Sequence, residues 1–138
     1  MLLQDVGAFF GMLAFTWIAT RMGRRLAYSF EILPELLAVP FPPMLLQPLV
    51  ENAVRHGLEP KVAGGSIVVS ARRQGDRLQL VVRDDGLGFA DMPGAGIGVA
   101  NIRARLLALY GSGGRLEMAP GVGGGVTATL TLPLEGST

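Results

Sequence analysis

Residues 46–57 read LQPLVENAVRHG, and this stretch organises the rest of the chain. Leu46, Leu49, Val50, Ala53 and Val54 fall at i, i+3, i+4, i+7 and i+8, the spacing of one buried face of a helix. The spacing predicts an amphipathic helix from Pro43 to His56, with Pro43 near its first turn and Gly57 placed to end it. Asn52 lies three residues before Arg55 and four before His56, so the three side chains project from one helical face. An amide oxygen is a ligand for a hard cation, and a guanidinium fork matches phosphate oxygens. With the imidazole of His56, the set suits a metal-bridged phosphate. The same face also reads as a plain solvated surface, with a Glu51–Arg55 pair and His56 near the negative helix end.

The flanking segments supply a sheet for this helix. Leu26, Tyr28, Phe30 and Ile32 alternate within Arg24 to Ile32, a strand pattern, and Pro34, Pro40, Pro42 and Pro43 then break the chain. Ser66 to Arg72 and Arg77 to Arg83 alternate likewise, with Gln74-Gly75-Asp76 as a hairpin turn. Ile67, Val69, Ala71, Leu78, Leu80 and Val82 are expected to share one buried face. Asp85 to Gly98 is expected to be a glycine-rich loop. Asn101 to Tyr110 is expected to be a second helix with Ile102, Leu106 and Leu109 inward and Gly111 at its end. Arg115 to Met118 and Val126 to Leu132 close the chain as another hairpin. The expected fold is α+β: a two-layer sandwich of one mixed, mostly antiparallel sheet with helices on one face.

Two further segments concentrate polar groups. Asp84-Asp85-Gly86-Leu87-Gly88-Phe89 follows a strand. A carboxylate there can accept a hydrogen bond from an exocyclic amine, and Gly86 and Gly88 let the backbone approach a flat ligand. The same residues also make ordinary loops. Gly94-Ala95-Gly96-Ile97-Gly98-Val99-Ala100-Asn101 runs into a helix, whose first amides attract anions. The dinucleotide fingerprint is excluded, because Gly96-x-Gly98 is followed by Asn101 and the surroundings are not βαβ. The phosphate loop ending in Gly-Lys-Ser/Thr is absent too.

Composition narrows the chemistry. The 138 residues carry 12 basic and 11 acidic side chains, a net charge of +1, so no global field recruits nucleic acid. No Cys is present, which removes thiol nucleophiles and Cys-based zinc sites, and the one His excludes a multi-His metal site.

Val6 to Thr20 forms a run of 15 uncharged residues, bounded by Asp5 and Arg21. That is short of the roughly 20 needed to span a bilayer. Two readings stay open for residues 1–22. One is a hydrophobic helix that docks on the core or pairs with a second copy in a homodimer. The other is the remnant of a membrane span, supported by Gly7-xxx-Gly11 and by Arg21, Arg24 and Arg25 beyond it. Residues 23–138 form the remaining domain.

Taken in order, the three polar segments resemble one family. LQPLVENAVRHG resembles the N-box, VRDDGLGF the first glycine box and GIGVANIRARL the second glycine box of the GHKL ATPases of gyrase, Hsp90, histidine kinase and MutL type. FPPMLLQPLVENAVRHG is most similar to LytS-type sensor histidine kinases, and the resemblance covers about residues 21–133. It implies that Asn52 holds Mg²⁺ between the ATP phosphates, with Glu51 as a general base or orienter. Arg55 and His56 approach the phosphates. Asp84 reads the adenine amino group, Asp85 stands where many members have Asn, and Gly86 and Gly88 shape the pocket. Gly96 and Gly98 hinge a short lid, Ala90 to Ala95, and Asn101 and Arg105 are polar positions on the following helix. In the third box, Gly123-Gly124-Gly125-Val126-Thr127, many relatives carry Thr directly after the glycines. Val126 stands there instead, and Thr127 is the hydroxyl left to serve the base.

A further departure is an absence. Such kinases carry a phosphoacceptor His on an upstream helix, and here His56 is the sole His. The resemblance implies the ATP-binding catalytic domain of a two-component sensor kinase, cut from a longer protein or a short relative. It would bind Mg-ATP and present the γ-phosphate to a His on another segment. Expected partners are a His-bearing dimerisation domain and a response regulator, and the expected location is cytoplasmic, with any membrane link through the N-terminal or further segments. The alternative is a non-catalytic, ATP-responsive module of the same fold. A protein serine kinase on that fold is a third reading, set back by the N-box.

Overall fold

The computed structural model describes residues 2–5, 26–39, 41, 43–53, 65–86, 95–121 and 124–134. Their elements run β1 (Leu26–Ile32), α1 (Pro43–Asn52), β2 (Gly65–Gln74), β3 (Arg77–Asp84), α2 (Ala95–Tyr110), β4 (Arg115–Pro120) and β5 (Val126–Pro133). The strands form one sheet in the order β1-β2-β3-β5-β4. β1 pairs with β2 in parallel, and the other three pairings are antiparallel. A parallel pair cannot be joined by a tight turn, so the chain between them crosses over through α1.

Alternation sorts the sheet into two faces. Ile67, Val69 and Ala71 of β2, Leu78, Leu80 and Val82 of β3, and Ala128, Leu130 and Leu132 of β5 are all buried. They pack with Leu45, Leu46, Leu49 and Val50 of α1 and Ile102 and Leu106 of α2 in one core. The other face carries Arg72, Gln79, Arg83 and Glu117, so the helices lie on one side only. This is the expected two-layer α+β sandwich. The β2–β3 hairpin turns at Gly75, whose φ of +65° opens a two-residue loop that matches the strand twist.

Two expectations about local structure change. First, α2 starts at Ala95, so Gly96 and Gly98 lie in its first turn rather than in a loop. Packing of Val99, Ile102, Leu106 and Tyr110 against the core outweighs the weak helix propensity of two glycines. Second, Leu109 is not inward: it is 55% exposed. The core stripe of α2 steps from Leu106 to Tyr110, one full turn, which leaves Leu109 on the flank. Pro48 lies inside α1, within the helix expected there. Its missing N–H leaves the Met44 carbonyl without its usual donor.

Gly111, at φ +57°, ends α2 as expected. Gly114 then brings β4 against the helix, because a Cβ there would stand 3.0 Å from a Leu106 methyl and 3.3 Å from Tyr110. Leu106→Ala should therefore cost about 2–5 kcal/mol of stability, and Leu109→Ala less than about 0.5 kcal/mol. Urea unfolding of the two variants checks this, and equal losses would refute the assignment of the stripe.

At the N-terminus, Leu3–Asp5 is a 3₁₀ turn. Leu3 is buried in the main core, and its N–H donates to the Val39 carbonyl at 2.9 Å. The rest of the expected hydrophobic helix lies outside the described residues. No helix among the described residues is long and apolar enough to cross a membrane.

Candidate functional site

Few polar side chains are buried among the described residues: Asn52, Asp84 and Thr131. Two of the three were picked out by sequence. Asn52 sits on the last turn of α1, 8% exposed. No hydrogen bond between described residues engages its side chain. A buried amide without a partner is costly unless something outside the protein satisfies it. Its neighbour Glu51 is half-buried, and its carboxylate accepts a hydrogen bond from Gln47 Nε2 at 3.0 Å.

Asp84 ends β3, 7% exposed, opposite the buried Ile67 and therefore on the helix side of the sheet. Its Oδ1 accepts the Gly86 N–H at 2.9 Å, a turn that bends the chain away from the sheet. Gly125 backs directly onto this point. At φ +74° it presses so close that any Cβ would overlap the Asp84 carbonyl and the Asp85 Cα. Gly125 in turn closes a tight turn, its carbonyl accepting the Gly121 N–H at 3.0 Å.

Thr127 lies on β5 beside the end of β3. It pairs with Arg83, on the face of the sheet away from the helices. With Ser66, Arg83, Asp84 and Asp85 it lines a cleft of ≈280 Å³. Strand alternation gives the Asp84 side to Val126, 2% exposed and packed with Met118. The hydroxyl expected to serve the base thus stands on the opposite face, because neighbouring residues of a strand cannot share one.

Asn101 and Arg105 are both exposed on α2, one turn apart. Gly96 and Gly98 open that helix, where the first amides lack partners within it. Arg55, His56, Gly88 and residues 90–94 of the expected lid lie outside the described residues, and Ala95, the last residue of that lid, is the first of α2. Sequence reading missed Ser66, which is bound to Asp85 by side chain and backbone. Nothing near Ser66 in the sequence signals this; the partner is 19 residues away and is set by strand register.

Among the described residues no group of three or more His, Cys, Asp or Glu could hold a metal ion. A cation here would need oxygens from a ligand besides Asn52. That fits Mg²⁺, which keeps few protein ligands and is commonly shared with substrate phosphates.

Residues 42–136 match the family described as histidine kinase-, DNA gyrase B-, and HSP90-like ATPase. Over 103 residues, 67% of its length, the chain is 36% identical to the sensor histidine kinase YpdA of Escherichia coli K12. It is 28% identical over 116 residues, 73% of its length, to the sensor protein LytS of Oceanobacillus iheyensis. It spans 18% and 20% of those two proteins, about a fifth of their length. The solved catalytic domain of histidine kinase ThkA, in nucleotide-free form, shares the fold at TM-score 0.68 and 15% identity, over 94% of this chain and 95% of that one. The buried Asn52 and Asp84, the sheet with helices on one face and the sequence match over residues 42–136 agree, and the chain belongs to the histidine kinase-, DNA gyrase B- and HSP90-like ATPase family.

Proposed function

We propose that the chain binds Mg-ATP on the helix side of its sheet and presents the γ-phosphate to a histidine supplied by another segment or chain. The observation that carries this is the burial of Asn52 and Asp84, an amide on α1 that is unbonded among the described residues and a carboxylate at the end of β3, inside an otherwise apolar layer. Asp84 accepts the adenine amino group, and the Gly86 turn leaves room for the base. Asn52 would hold Mg²⁺, which would supply charge neutralisation at the phosphates. Arg55 and His56 meet the phosphates, and Glu51 orients the attacking group. Asn101, Arg105 and the helix start at Gly96 and Gly98 receive the phosphate end. Catalysis is then positioning plus electrostatic stabilisation, as in phosphoryl transfer generally.

The partners in this reading are a His-bearing dimerisation domain and a response regulator, both in the cytoplasm, where ATP is. Residues 1–22 are proposed as a segment that is anchored to the domain of residues 23–138 at Leu3 and forms a homodimer through its apolar run. A second reading, a module that binds ATP without transfer, is favoured by Val126, which places no hydroxyl beside Asp84. Incubation with ATP and a separate His-bearing helical domain discriminates: phosphohistidine supports the kinase, and binding without transfer supports the module.

Calorimetric titration with ATP, with and without Mg²⁺, tests the binding itself. Asp84→Asn should weaken ATP by about 10–100-fold, the worth of a hydrogen bond to a charged group. The Asn oxygen can still accept from Gly86, while its amide N–H₂ faces the adenine amine donor to donor. No saturable heat from the unmodified chain would overturn the proposal.

A further inference from the structure

Asp85 follows Asp84 and, by strand alternation, stands on the opposite face of the sheet. It is exposed to solvent there and is tied to the first residues of β2. The Ser66 backbone N–H donates to Asp85 Oδ1 at 2.7 Å, and Ser66 Oγ donates to Oδ2 at 3.0 Å. The Asp85 N–H donates to the Ser66 carbonyl at 3.3 Å. In an antiparallel ladder, residues facing each other as a hydrogen-bonded pair exchange two backbone bonds. Here one of the two is kept, and the second passes to the side chain. The reason is the turn at Gly86: as the chain swings away to let Gly86 N–H reach Asp84 Oδ1, the backbone leaves the ladder. The Asp85 carboxylate takes over the rung.

We infer that Asp85 and Ser66 are a positioning pair for Asp84: they hold the end of β3 on β2, so that the Asp84 carboxylate keeps the orientation from which it reads the purine amino group. The inference rests on the proposed base-reading role of Asp84. Neither Asp85 nor Ser66 touches the nucleotide, since both side chains face away from the helices. They act by anchoring the peptide that carries the reader. Gly125 blocks movement on the neighbouring strand side, and the Asp85–Ser66 bonds block it on the other.

The test compares ATP with purine riboside triphosphate, which lacks only the 6-amino group, on the full chain. The unmodified chain should prefer ATP. Asp85→Ala should weaken ATP about fivefold to tenfold and leave purine riboside triphosphate within about twofold, since hydrogen bonds of this kind contribute factors of that size. Ser66→Ala, which keeps the backbone bond to Oδ1, should lose about twofold in the same selective way. Asp85→Asn should restore the preference, because its carbonyl accepts from Ser66 N–H and its amide donates to Ser66 Oγ.

Retained preference in Asp85→Ala overturns the inference. So does an equal loss for both nucleotides, which would mean a merely structural bond, and so does failure of Asp85→Asn to restore the preference. A chain that never prefers ATP overturns the reading of Asp84 and this inference with it. That outcome is read on the unmodified protein and is therefore distinct. Melting temperatures of the variants show that each is folded. The bonds replaced are solvent-exposed, so water can satisfy Ser66 N–H.

Discussion

Asn52→Ala should abolish the magnesium-dependent part of ATP binding and leave the fold intact. With Asn52 present, Mg²⁺ should tighten ATP; with Ala, affinities with and without the metal should coincide, a loss of about 100-fold for a missing metal contact. The effect on stability should run the other way. Asn52 is 8% exposed, and its side chain takes part in no hydrogen bond among the described residues. Replacing a buried, unbonded amide by a methyl group removes a desolvation cost of about 1–3 kcal/mol, against a small cavity cost of similar size. The melting temperature should therefore stay level or rise. Such a result would mark Asn52 as a residue held for its ligand rather than for the fold. A variant that keeps its metal dependence would refute the role of Asn52, and one that unfolds would show the amide to be structural. Titration calorimetry and thermal melting of the same sample read both.

Gly125→Ala should be the most damaging single methyl in the described structure. Its φ of +74° costs a non-glycine residue about 1 kcal/mol or more, and the added Cβ would overlap the Asp84 carbonyl. Relieving that overlap means shifting backbone, at about 1–3 kcal/mol. Together the losses come to about 3 kcal/mol, or roughly 10 °C in melting temperature. Gly124→Ala is the internal control. Its φ of +118° is strained, but nothing stands within 4 Å of the new methyl. It should lose less than Gly125→Ala, and it should keep ATP affinity, because Asp84 is not pushed. Equal behaviour of the two would show that backbone conformation matters here and close approach does not.

The site also shows why third-box residues are hard to read one at a time. Val126 and Thr127 are adjacent, and sequence alone left the hydroxyl of Thr127 available to the base. In a strand, adjacency means opposite faces. With Ala128 buried and Thr127 paired to Arg83, the parity of β5 gives the helix side to Val126.

Much of the molecule was legible as pattern. Alternation in Ile67, Val69 and Ala71 and in Leu78, Leu80 and Val82 announced both strands and their buried face, because a strand has only two faces and one of them must pack. The i, i+3, i+4 spacing of Leu46, Leu49 and Val50 announced α1 for the same reason. Asn52 stood out by sharing a helical face with Arg55 and His56, and Asp84 as a carboxylate at a strand end before Gly86 and Gly88; their burial is what the tertiary structure adds. Local chemistry also set the ends: Gly75 and Gly111 take positive φ where their neighbours require it.

Only the tertiary structure decided the rest. The parallel pairing of β1 with β2 and the sheet order β1-β2-β3-β5-β4 join segments far apart in sequence, and no local pattern encodes which strands meet. The start of α2 at Ala95 and the exposure of Leu109 were decided by packing, which overrides propensity and shifts a helical stripe by a fraction of a turn. The tie of Asp85 to Ser66 and the pressure of Gly125 on Asp84 are contacts across strands, visible only once register is fixed. The residues proposed for the chemistry were written in the sequence as polar motifs. The residues that hold them in place were not, because their roles depend on which strands lie side by side.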